Sequence, residues 1–347
     1  MVDGTGGNRL VAAAPMLAAA VTVLLWASAF VAIRHVGTQL SAGPLALGRL
    51  VVGSVVLGVL VAGQSLRQRS AARRGTGPAA APAGGAGPGG RAPATARRRG
   101  GGWPRGRAWL GVVGCGLAWF GMYNVALNAA ERRVDAGTAA MLVNVGPILL
   151  AVLAGVFLRE GFPRLLVIGV LVAFAGVLVM GVATARPGTG DLPGVLLCLL
   201  AAIGYAIGVL SQKPVLATTS ALRTTWLAAT VGALACLPYA PRLVHELAAA
   251  PAEAVLWTIY LGALPTALAF TTWAYALART GAARMGATTY LVPPVAVLLG
   301  WLLLAETPAA LALVGGAICL VGVAVTRRAP QHAPAPRTDR TEVPATD

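Results

Sequence analysis

The sequence predicts an all-α polytopic membrane protein with ten transmembrane helices, arranged as two inverted five-helix repeats. Three observations predict it: the composition, a series of evenly long apolar segments, and a self-similarity at one fixed offset. Of 347 residues, 57% are hydrophobic and only 11% charged, whereas roughly a quarter of a soluble domain is charged. Mean hydropathy is +0.76. Lipid is therefore the expected solvent.

The apolar segments span 12–33, 44–63, 108–130, 136–158, 163–183, 191–211, 220–240, 252–276, 282–304 and 308–326. Each is close to the roughly 20 residues an α-helix needs to cross about 30 Å of hydrocarbon. The first is read as a retained helix rather than a removed signal peptide, because no small-residue cleavage site and soluble domain follow it. The one long polar stretch, 64–107, mixes Gly, Pro, Ala and Arg without apolar periodicity, so a disordered cytoplasmic loop is expected there. A disordered cytoplasmic tail is expected over 327–347. The arginines of the loop can also touch anionic lipid headgroups. Four cysteines, Cys115, Cys198, Cys236 and Cys319, fall in predicted helices at unrelated spacings and read as core.

The net charge of +16 is distributed as a membrane protein distributes it, and nucleic acid is not expected as a partner. With the N-terminus inside, 21 of the 27 basic residues lie in inside segments. Five (Arg34, Arg132, Arg133, Arg186 and Arg242) lie outside, and Arg49 is within the second helix. That asymmetry predicts cytoplasmic N- and C-termini.

Shifting the chain by 146 residues lays 129–160 over 275–306 without a gap, and seven of the 32 positions are identical. The count is unremarkable for so apolar a chain; the residues that agree are not. Arg133 falls on Arg279, Pro147 on Pro293, Glu160 on Glu306, and Gly116, Gly169 and Gly176 on Gly262, Gly315 and Gly322. Coincidence of costly residues at one offset predicts a duplication, 12–183 and 191–326. Five helices per unit is an odd number, so the second unit enters the membrane upside down. In secondary transporters this arrangement sets a substrate site near the midplane, between the halves. The glycine pairs at i, i+7 are expected to let neighbouring backbones approach closely.

The candidate site is read from polar and aromatic residues deep in the helices. Pro147, Pro293 and Pro294 lie about ten residues into the fourth and ninth helices and are expected as hinges. Each lacks an N–H, which frees the carbonyls of Val143, Thr289 and Tyr290; in lipid these need protein or a water-filled cavity around them. Asn144, Thr288, Thr289 and Tyr290 accompany them. The plainer alternative is a kink satisfied by a neighbouring hydroxyl, with Asn144 joining helices. Trp26, Ser28 and Phe30 in the first helix, Trp119, Tyr123, Asn124 and Asn128 in the third, Tyr205 in the sixth and Thr266, Phe270 and Trp273 in the eighth are further candidates. From these, the expected substrate contacts are Trp26, Ser28, Arg49, Trp119, Tyr123, Asn124, Asn144, Tyr205, Trp273, Thr288 and Tyr290. Trp103, Trp109, Trp257 and Tyr260 read as interface anchors. Arg49 either snorkels to the outer interface or anchors a substrate carboxylate or phosphate. Glu160 and Glu306 either cap a neighbouring element or belong to a gate. No Asp or Glu stands near the centre of a predicted helix, so no proton carrier is identified.

"WASAF" in the first helix, Arg49 early in the second, "AGTAAMLVNVGPILLAVLAGVFLRE" across the fourth and "LVPPVAVLLGWLLLAE" across the ninth resemble the drug/metabolite transporter superfamily, in its ten-helix EamA branch. The similarity runs over about 10–328, apart from the long loop. It implies two inverted EamA repeats, a multi-pass location in a bacterial inner membrane, and export of amino acids, related metabolites or toxic compounds by alternating access. By position it supports Trp26, Ser28, Asn144 and the Pro293 region as cavity residues. The 64–107 loop departs from the short connection usual in that family and is expected to be an insertion.

The expected function is thus a secondary transporter of small amphipathic metabolites with no cofactor and no metal. Its partners are the small-molecule substrate and membrane lipid, with a homodimer left open. The alternatives are a non-transporting scaffold acting through the basic loop, and a membrane enzyme. His35, His245 and His332 are the only histidines, and no nucleophile and base can be paired for the enzyme.

Overall fold

A computed structural model describes residues 5–74, 102–133, 142–184, 192–304 and 309–329. The chain runs through α1 (Thr5–Val36), α2 (Ala42–Arg74), α3 (Ala108–Ala130), α4 (Gly146–Phe157), α5 (Arg164–Thr184), α6 (Leu192–Val215) and α7 (Ala221–Ala235). It continues through α8 (Ala252–Leu277), α9 (Ala282–Thr288 and Val292–Leu304) and α10 (Ala310–Arg327), and no strand occurs among the described residues. Among the described residues six helices are long and apolar enough to cross a membrane, or seven if α7 and its bent extension Leu237–Ala249 form one span. Shorter apolar helices lie at Gly146–Phe157, Arg164–Val179 and Leu313–Arg327, within α4, α5 and α10. The protein is a multi-pass helical membrane protein.

Local chemistry explains where the helices depart from the segments read in the sequence. α2 continues to Arg74, into the stretch expected to be disordered, because residues 64–74 carry no proline or glycine and are mostly good helix formers. Gly and Pro enrichment begins only at 75. Residues 75–101 of that loop, the expected tail beyond Ala329 and the start of the expected fourth helix lie outside the described residues, while 102–107 form a bend and turn leading into α3. α7 stops at Ala235 and the chain bends by 53°, where Pro238 and Pro241 interrupt the hydrogen-bond ladder. A helical stretch at 142–143 and a turn at Asn144 and Val145 precede α4, which starts at Gly146. Pro147 thereby falls in a first turn, where an N–H has no helical partner to lose. α9 breaks at the equivalent place, 146 positions on: a 3₁₀ turn, Thr289–Leu291, leads into Pro293 and Pro294.

Two further features recur at that offset. α3 widens into a π-helical stretch at Gly116–Tyr123 and α8 at Gly262–Leu268. Pro265 lies inside the second, but no proline accounts for the first. A Cβ on Gly116 would lie 2.6 Å from Val231 Cβ and 2.8 Å from the Ala228 carbonyl. One on Gly262 would meet Val52 Cβ at 2.5 Å and the Arg49 carbonyl at 2.8 Å. Val231 and Ala228 lie 179 positions beyond Val52 and Arg49, as Tyr205 lies beyond Trp26 and Ser220 beyond Ser41. The first two helices thus correspond to the sixth and seventh at 179 and the later ones at 146, which leaves 33 extra residues in the connection between α2 and α3.

α5 and α10 cross antiparallel at their glycines. Gly169 faces Gly322 and Thr326, while Gly176 faces Gly315 and Cys319. A side chain on Gly322 would overlap the backbone of Ala173. The close approach expected from the i, i+7 spacing is present.

Candidate functional site

Five aromatic rings from four helices meet at the centre of the bundle. Trp26 of α1 lies 5.9 Å from Trp119 of α3 and 5.1 Å from both Phe270 and Trp273 of α8, between ring centroids. Tyr205 of α6 meets Trp119 edge-on at 5.4 Å and Trp273 at 6.2 Å. Backbone glycines bring them together. Gly208 lets Trp119 press on α6, and Gly146 places the start of α4 against the Tyr205 ring, 2.9 Å from where its own Cβ would stand. Trp119 and Trp273 are each 1% exposed, yet Trp26 Nε1, Trp273 Nε1 and Tyr290 Oη are buried without a hydrogen-bond partner among the described residues. Burying such donors costs about 1–3 kcal/mol apiece. A centre made only for packing would favour Phe and Leu there.

Arg49 lies next to this cluster. Only 5% exposed, it does not snorkel to the surface; its Nε donates to Thr266 Oγ1 at 3.0 Å, and Thr266 in turn donates to the Leu261 carbonyl of the widened turn at 2.8 Å. Thr266 is four residues before Phe270, so the guanidinium attaches to α8 about one helical turn before the first of that helix's rings in the cluster. Tyr123 and Glu131 of α3 are within electrostatic range of it. Sequence reading passed over Glu131, because its place at the end of α3 resembles an ordinary helix end.

Other expected contacts have structural partners. The Ser28 hydroxyl is engaged by protein, sharing a 2.7 Å hydrogen bond with Tyr260 of α8 and donating to the Leu25 carbonyl at 2.9 Å. Asn124 folds back on its own helix, donating to the Trp119 and Phe120 carbonyls at 3.2 and 2.9 Å. Those carbonyls lie in the π-helical stretch, so the amide supports the wide turn. Asn128 donates to the Ala42 carbonyl of α2 at 3.1 Å. Thr288 donates to the Arg284 carbonyl at 3.2 Å and Thr289 to Gly286 at 2.7 Å.

Asn144 is buried in the turn before α4. Of the carbonyls expected to be freed in α9, that of Thr289 accepts from Val292 N–H and that of Tyr290 from the Cys319 thiol at 2.8 Å. The break in α9 is therefore satisfied by protein, and its open group is the Tyr290 hydroxyl, in a side chain with no exposed surface. Residues that the structure gathers are thus Trp26, Trp119, Tyr205 and Trp273, with Phe270 completing the cluster, Arg49 one turn away, and Tyr290 near Tyr205. Among the described residues no group of three His, Cys, Asp or Glu could hold a metal ion.

One end of the bundle is tied shut by charged groups. α4 ends in a left-handed Arg159, φ 55°, and the turn carries Glu160 to the start of α9. There its two carboxylate oxygens accept from Ala282 N–H at 2.7 Å and Ala283 N–H at 3.2 Å. Glu160 thus caps α9, and Glu306 lies outside the described residues. Lys213 Nζ donates to the carbonyls of Leu277, at 2.5 Å, and Thr280. At the opposite end, Glu246 accepts from Ser41 N–H at 2.8 Å and from its hydroxyl at 2.5 Å, and His35 pairs with Glu253 at 2.7 Å.

A bundle of apolar helices enclosing buried charge and unpartnered polar aromatics is the architecture of a membrane transporter. The chain belongs to the EamA-like transporter family, which matches residues 93–182 and 192–328. It is 38% identical over 225 residues to a probable terminal-alkyne amino-acid exporter of Streptantibioticus cattleyicolor, covering 65% of this chain and 75% of that one. It is 31% identical over 211 residues to the uncharacterized transporter YdfC of Bacillus subtilis, covering 61% and 69%. A solved crystal structure aligns with a TM-score of 0.64 at 18% identity, over 90% of this chain and 95% of that one; this likeness shows a shared fold.

Proposed function

We propose that this transporter is a secondary exporter of amino acids or closely related amphipathic metabolites, residing in a bacterial inner membrane with both termini cytoplasmic. In this reading α1–α5 and α6–α10 are two inverted repeats, α4, α5 and α10 complete ten spans, and the central cluster is the substrate site. Support for the repeats comes from the paired helix breaks, the paired π-helical stretches and the two family matches. The observation that carries the substrate class is the buried Arg49 one turn from a ring of Trp, Tyr and Phe. A guanidinium takes a carboxylate, and aromatic faces take an apolar side chain or an ammonium group. The name of the Streptantibioticus relative points to the same class.

Alternating access would then follow from movement at the breaks in α4 and α9, with Pro147, Pro293 and Pro294 as the hinges. Proteoliposomes loaded with labelled amino acids test this. Wild-type protein is expected to release a subset, and Asn144→Ala to slow that release. A transmembrane pH gradient decides whether a proton is coupled. Absence of protein-dependent release for every compound would refute the reading.

A further inference from the structure

α6 carries a second polar group toward the bundle centre. Gln212 follows Tyr205 by seven residues, which on an α-helix is a rotation of about 20° short of two full turns and a rise of about 10 Å. The two side chains share the inward face, with Gly208 against Trp119 and buried Val209 between them. Gln212 has no exposed surface, and neither its Oε1 nor its Nε2 has a hydrogen-bond partner among the described residues. Native interiors rarely leave both ends of an amide unused. Beyond it, the connection into α7 buries the Thr219 and Thr224 hydroxyls, likewise unpartnered. The adjacent Lys213 and the Glu160 cap seal that end of the bundle.

We propose that Gln212 is an inner binding station on the permeation path, where its amide holds the polar head of the substrate between the aromatic cluster and the end closed by Glu160 and Lys213. This rests on the transporter reading. A primary amide both donates and accepts, so it serves an ammonium or a carboxylate group without fixing either. The site is shut in this state and must be reached by opening at the Glu160 end.

The test places a cysteine at Gln212 in the full chain, whose own four cysteines are all buried, and adds 2-aminoethyl methanethiosulfonate to either face of membrane vesicles. Arg279→Cys, exposed beside the Lys213 end, marks which face that end occupies. Gln212→Cys is expected to react from the same face as Arg279→Cys, and several-fold faster when Glu160→Gln loosens the cap. No modification in either background, or modification from the opposite face alone, would overturn the proposal. In parallel, Gln212→Leu is expected to keep its melting temperature and lose about tenfold in amino-acid efflux, the scale of one hydrogen bond to a charged group. Wild-type efflux in Gln212→Leu would overturn this station while leaving the transporter reading intact. An inert wild-type protein with a reactive Gln212→Cys would instead bring down the transporter reading, and this proposal with it.

Discussion

Arg49 shows how cost identifies purpose at the scale of one residue. A guanidinium held at 5% exposure in a membrane bundle, where its Nε donates to the Thr266 hydroxyl, is an expensive way to fill space. Arg49→Lys keeps the positive charge that faces Tyr123 and Glu131 but loses the guanidinium fork, and is therefore expected to leave the melting temperature close to that of wild type. Efflux should fall at least about tenfold, the worth of roughly 1.4 kcal/mol. A thermal scan beside a flux assay separates this from simple unfolding, in which both would drop together. Much of the aromatic cluster is legible at this scale: Trp26, Trp119, Tyr205 and Trp273 are recognisable as large amphipathic rings deep in apolar segments. Orientation is not. Ser28 lies two residues from Trp26, about 200° around the helix, and its hydroxyl bonds Tyr260. Asn124 looked available for a ligand, but the π-helical stretch before it, which leaves carbonyls to satisfy, has no signature such as proline in α3.

At the scale of elements, helix spans were the easiest feature to read, since apolar length fixes them. Ala108–Ala130 and the start of α9 at Ala282 fall where hydropathy placed them. The internal breaks were read only in part. Proline coincides with the breaks at α4 and α9, but Pro147 falls in a first turn instead of ten residues into a helix, and in α9 a 3₁₀ bond and the Cys319 thiol, 29 positions away, close the carbonyls expected to be free. The α5–α10 crossing gives a sharp prediction about packing. Gly322→Leu forces a side chain into the Ala173 backbone, and overpacking of this kind costs about 1–3 kcal/mol or more. Gly63→Leu in α2 has nothing within 4 Å to displace and should cost nothing. Melting curves of the two variants in one detergent make the comparison, and equal stability would remove the crossing from the account.

At the scale of the whole molecule, correspondence between the halves organises the fold, the site and the closed end together. Offsets of 146 and 179 differ by 33 residues, which in the proposed two-repeat plan makes the long α2–α3 connection an addition. Deleting residues 75–101 is accordingly expected to leave efflux within about twofold of wild type, a small change on the logarithmic scale that relates rate to free energy. Loss of all activity would favour a scaffold acting through that loop.

The most direct measurement compares, in proteoliposomes, efflux of an amino acid with efflux of its primary amide, which differs only in lacking the carboxylate. Wild-type protein should prefer the acid, and Arg49→Gln should erase that preference by slowing the acid while sparing the amide. An unchanged preference in Arg49→Gln, or none in the wild type, would contradict the placement of the substrate between Arg49 and the aromatic rings.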